Sequence, residues 1–226
     1  MTDCRRGGVV VIASLLLAVS AGCGDFGAMA YFLLPEQRIE PRMRHLASAD
    51  AKKDSRVVIL TWSAMETRTE FIHADRQLSE LLGQQLQQLA EQAKERISIV
   101  PARKVEEYKN AHPDWRSLDL TDIGRHFDAD YVIYLEIHSM SLYEVGGTQL
   151  LRGRANLTVS LADVRKPDDA PLSQPYTCIY PSESPGPVPV GDMHPMQFRQ
   201  KFLTHMAKQL AQYFSRYPRS ERFQME

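Results

Sequence analysis

The chain has 226 residues, with 27 Lys and Arg against 28 Asp and Glu, and 43% of its residues are hydrophobic. That balance excludes an electrostatic grip on nucleic acid, which requires a basic face. Once a leader and a tether are set aside, roughly 160 residues remain, enough for one domain with its own core.

The N-terminus has the parts of an export signal: Arg5 and Arg6, an apolar run over residues 9–21, and small residues before Cys23. The run is shorter than the roughly 20 apolar residues of a bilayer-spanning helix. Val19-Ser20-Ala21-Gly22-Cys23 resembles the cleavage and lipidation site of bacterial lipoproteins. The resemblance implies that residues 1–22 are a signal peptide and that Cys23, acylated with diacylglyceryl and palmitate-type chains, becomes the mature N-terminus. At about 0.8 kcal/mol per buried methylene, two or three chains form a lasting membrane anchor. Gly24, where Asp would signal inner-membrane retention, favours the outer membrane, with the domain facing the periplasm. The alternative is an uncleaved transmembrane helix over residues 9–34, interrupted by Gly22, Gly24 and Asp25. With Cys4 in the leader and Cys23 lipidated, Cys178 is left without an intramolecular partner and reads as a small core residue.

Residues 23–56 read as lipidated terminus and tether, 57–217 as the domain, and 218–226 as a tail. Val57-Val58-Ile59-Leu60-Thr61-Trp62 is apolar nearly throughout, as in a strand covered on both faces. Leu78, Leu81, Leu82, Leu86, Leu89, Ala90 and Ala93 recur at helical spacing, with Gln84, Gln85, Gln87, Gln88 and Gln92 on the wet side. A short strand over 97–100 ends at Pro101, and a helix over 104–111 stops before Pro113. Thr121 is placed to cap a further helical turn carrying Ile123 and Phe127.

Asp128-Ala129-Asp130 then turns the chain into the strand 131–137. Gly146-Gly147 marks a reversal, after which Ala155, Leu157, Val159 and Leu161 alternate with Asn156, Thr158 and Ser160 as a half-buried strand. Residues 176–180 add another strand. Phe198, Phe202, Met206, Leu210, Tyr213 and Tyr217 form a closing helical stripe. The fold class is α/β (α+β): one domain, a mixed sheet with helices packed against it, in the order βαβαβ-β-β-α.

The segment Phe127-Asp128-Ala129-Asp130-Tyr131-Val132-Ile133-Tyr134-Leu135-Glu136-Ile137 resembles one in envelope proteins that share the fold of the N-terminal domain of the Tol-system propeller protein. Curli-secretion lipoproteins and lipoproteins that activate penicillin-binding proteins belong to that group. Ala30-Tyr31-Phe32 with Pro35, His112-Pro113-Asp114-Trp115 and Leu151-Arg152-Gly153-Arg154 together look like uncharacterised predicted lipoproteins of planctomycete-type bacteria. The resemblance implies a noncatalytic envelope module that binds another protein.

The chain has no His-Glu-x-x-His, no phosphate loop, no Gly-x-Ser-x-Gly and no Cys-x-x-Cys, so the reading carries no cofactor and no metal. His126-x-Asp128-x-Asp130 has metal-ligand chemistry, but a turn entering a strand calls for the same residues. Glu136 and His138 share a strand face and have acid and base chemistry, yet a hydrogen bond accounts for them equally. The segment 181–191 is proline-rich, and its Pro185, Pro187, Val188 and Pro189 form the candidate partner-binding loop, because prolines lower the entropy lost on docking. A stiff connector is the competing reading.

The function expected from the sequence is therefore that of a noncatalytic, lipid-anchored envelope protein. It would act through contacts with another envelope protein in assembly, secretion or cell-wall control. The alternatives are a homo-oligomeric secretion-channel component, with lipid-spanning strands over 131–143 and 149–162, and an enzyme or small-ligand binder of unfamiliar type.

Overall fold

A computed structural model describes residues 37–48, 53–63, 71–182 and 184–222. The leader, Cys23 and the rest of residues 1–36 lie outside the described residues. In chain order the elements are β1 (Arg38–Ile39), β2 (Ser55–Ser63), α1 (Ala74–Ala93), β3 (Ile97–Ile99), α2 (Ala102–Ala111), a 3₁₀ turn (Trp115–Ser117) and α3 (Leu120–His126). Then follow β4 (Tyr131–Tyr143), β5 (Leu150–Asp163), β6 (Leu172–Tyr180), β7 (Val188–Pro189), α4 (Pro195–Ala211), β8 (Tyr217–Pro218) and α5 (Arg219–Arg222).

The main sheet runs β3-β2-β4-β5-β6, and β7 joins the start of β5. β2 is parallel to β3 and β4, while β4, β5 and β6 are successively antiparallel. This is the mixed α+β fold that the sequence leads one to expect. Long helix-bearing connections return the chain to parallel strands, and loops without helices join the antiparallel ones.

One sheet face buries Val57, Ile59, Ile133, Leu135, Leu157 and Val159 against the leucines of α1 and the Phe198, Phe202, Met206 and Leu210 stripe of α4. The other face buries Val58, Leu60, Val132 and Ala162 under Val105, Tyr108, Trp115, Ile123 and Phe127. Gly124 on α3 permits that second contact, since a Cβ there would collide with Val164 and Val132. The helices of the second layer stop short of the far strands. There the sheet surface is polar: His138 Nε2 lies 2.8 Å from Thr158 Oγ1, Asn156 donates to Ser139 at 3.0 Å, and Thr177 donates to Asn156 at 3.1 Å. Apolar positions on β4 thus face helices, and the outward positions of the hairpin are hydrophilic.

Several boundaries differ from the sequence reading. The tether expected up to residue 56 is already part of the body from Arg38 onward. β1 pairs with β8, Leu46 is fully buried, and the amides of Arg42, Met43, Arg44 and Leu46 donate to the carbonyls of Gln212, Tyr213 and Phe214. This segment satisfies carbonyls just past the end of α4, where the helical ladder leaves acceptors unpaired. Tyr217 accordingly sits in a strand and not on the helical stripe, and Pro218 is paired and not in a loose tail. Asp119, not Thr121, caps α3, its carboxylate accepting from Thr121 N at 2.8 Å. β6 begins four residues earlier than read, at Leu172. Among the described residues no helix is long and apolar enough to cross a membrane.

Candidate functional site

The proline-rich segment leaves the sheet after Tyr180 and comes back beside β5. Pro189 pairs with Leu150 and Val188 with Leu151, and Val190 N donates to the Gln149 carbonyl at 2.9 Å. Val188 is half-buried against the main core, whereas Pro185 and Pro189 are exposed and Pro187 is half-buried. Gly186, at φ 92°, makes the bend between Pro185 and Pro187 in a conformation that a side chain disfavours. The segment is therefore a strap fixed at its Val188 end, and its four candidate residues divide into the anchor Val188, half-buried Pro187, and exposed Pro185 and Pro189.

The strap's neighbour is the tip of the β4–β5 hairpin, where Gly146 takes φ 93°. Val145 is 83% exposed and Leu150 39% exposed. Glu144 braces this tip. Its carboxylate pairs with Arg152 at 3.0 Å and with Arg154, and accepts from Val145 N at 2.8 Å. The Arg154 hydrogen bond, followed by the Val145 amide, holds the Glu144 carboxyl below the usual carboxylate range. Exposed aliphatic and proline surface on a backbone held by ladder bonds and a two-arginine clamp suits contact with another chain, because little ordering entropy is lost on docking.

The other sequence candidates are separated by the fold. Asp128 adopts φ 51° in a left-handed turn, and Asp130 accepts from Arg56 N at 2.9 Å. His126 packs its ring on Tyr108 at 4.6 Å and on Phe127 at 4.9 Å. These residues make the turn into β4, and among the described residues no group of three or more His, Cys, Asp or Glu is arranged to hold a metal. His138 bonds across to Thr158. Cys178 is 2% exposed, and burial pushes its thiol up to about 11, which suppresses the thiolate.

The Glu144 clamp was missed in the sequence because Glu144 lies in the turn after β4, eight and ten residues before Arg152 and Arg154 on β5. Only the Gly146-Gly147 reversal hinted that they meet. Arg199 was also missed: it interrupts the α4 apolar stripe beside Phe198 and is 7% exposed.

No protein-family model and no curated protein matches the chain. Among solved structures it is similar to the PelC dodecamer from Paraburkholderia phytofirmans, at 13% identity over 80% of this chain and 97% of that one, with a TM-score of 0.42. It is similar to lipoprotein GNA1162 from Neisseria meningitidis, at 14% identity over 57% of this chain and 82% of that one, TM-score 0.38. It is also similar to the LpoB C-terminal domain from Salmonella enterica, at 15% identity over 55% of this chain and 82% of that one, TM-score 0.30. At such scores and identities these likenesses assign neither family nor function.

Proposed function

We propose that the protein is a noncatalytic envelope protein, anchored by lipid on Cys23, that works by holding another envelope protein at the strap and hairpin tip. The observation that carries this reading is the pinned strap, whose exposed Pro189 pairs with exposed Leu150 at one end of the sheet, with Pro185 exposed on the strap and Val145 exposed on the hairpin tip. The export-signal pattern before Cys23 supports the address, the outer membrane being favoured by Gly24.

The test has two arms. Cys23→Ala should abolish metabolic labelling with an alkyne fatty acid, and undiminished labelling refutes the anchor. Deleting residues 185–187, which leaves the Val188 and Pro189 pairing in place, should preserve the fold by circular dichroism and remove a partner crosslinked in intact cells. Retained crosslinking refutes the contact.

A homo-oligomer is the second reading, favoured by β6. It is an edge strand of the sheet, with Leu172 and Ile179 46% and 41% exposed. Light scattering of the purified full chain decides between a monomer and a closed assembly.

A further inference from the structure

The α4 side chain of Arg199 is a cation placed where proteins rarely leave one unmatched. It is 7% exposed, and Nη2 donates to the Ile72 carbonyl at 3.1 Å, while Nε is buried with no partner. No carboxylate among the described residues forms an ion pair with it. Burial alone lowers its proton affinity. A buried charge held only by one neutral carbonyl is costly, and a counter-ion relieves that cost.

A cavity of about 430 Å³ opens at this position, lined by Ile72, His73, Arg76, Gln77, Glu80 and Arg199. Gln77 on its wall supplies no free donor, since its Nε2 donates to Gln200 Oε1 at 3.1 Å, so the donors there belong to Arg199 and the backbone of α1. The cavity also meets the start of the 20-residue helix α1. His73 occupies the N-cap at φ 58° and its side chain makes no capping bond. The positive end of the helix dipole and a buried guanidinium thus converge on one hollow. Of the acidic groups nearby, Glu80 is engaged by Arg76 at 3.3 Å, and Asp75 lies in the first turn of α1.

We propose that this hollow is an oxyanion site, in which one carboxylate or phosphate group accepts from the Arg199 guanidinium and from the first turn of α1. The guanidinium fork suits both shapes of anion. Occupancy would tie the start of α1 to α4 across the main core, so the ligand would stiffen the helical layer opposite the second face of the sheet.

The full chain in detergent is titrated with sodium phosphate and, separately, sodium acetate, with ionic strength held constant by sodium chloride, and the melting temperature is followed. At ligand well above its dissociation constant, a saturable rise of about 4 °C is expected with at least one anion. A larger response to phosphate assigns a tetrahedral ligand, and a larger response to acetate a planar one. Arg199→Met should abolish the response. Arg199→Lys, which keeps the charge and loses the fork, should shift the midpoint to about tenfold higher concentration. No saturable rise with either anion, or an equal rise in the Arg199 variants, overturns the proposal.

Discussion

A Cβ on Gly153 would stand 2.5 Å from the ring of Phe202, which is fully buried. Gly153 lies in β5 and Phe202 on α4, so the missing side chain is what lets the C-terminal helix seat its aromatic ring on the strand. Gly153→Val is expected to destabilise the protein by about 2–3 kcal/mol through overpacking. Urea unfolding of the variant checks this, and an unchanged midpoint would mean that the ring has room to move.

Leu46 tests where the folded body begins. If residues 38–48 were only a tether, Leu46→Ala would be silent. Because Leu46 is fully buried, the substitution is expected to cost about 2–4 kcal/mol in the same unfolding experiment.

Asp163 gives the fold a pH dependence. Burial alone would raise its carboxyl, but Arg165 bonds it at 2.9 Å and 3.1 Å, and with Arg44 at 3.2 Å the net effect holds it below the ordinary aspartate value. Both guanidiniums also lie over the Tyr131 ring, at 4.6 Å and 5.6 Å. A depressed carboxyl stabilises the folded state fully above its unfolded pKa of about 3.9 and loses that contribution as the pH falls through the lower folded value. The wild-type chain should therefore lose more stability than Asp163→Asn between about pH 5 and pH 2, measured by urea midpoints across that range. Parallel curves would show that the carboxylate makes no net contribution.

Periodicity made the core legible. The α1 leucines, the β2 apolar run and the Phe198 to Leu210 stripe each state a face, and each buries that face. What the sequence concealed was set by contacts distant along the chain. Residues 38–48 look like a tether because they carry no apolar period; buried Leu46 and the backbone amides that meet the carbonyls of Gln212, Tyr213 and Phe214 join them to the body through contacts distant along the chain. Tyr217 fits the helical spacing of α4 yet pairs with Ile39. The proline composition pointed to the strap, but not that Val188 turns inward while Pro185 and Pro189 stay outside, since that division follows from the register with β5. Arg199 has no periodic signal other than being a charge in an apolar stripe.

The strap and hairpin tip are the surface proposed to hold a partner. The measurement is photocrosslinking in intact cells from the full chain, with the reactive residue at Pro189 or Val145, and at exposed Glu107 on α2 as the control. One discrete adduct from positions 189 and 145, absent from 107 and lost when residues 185–187 are deleted, is the expected result. No adduct from either position, or the same adduct from Glu107, would contradict it.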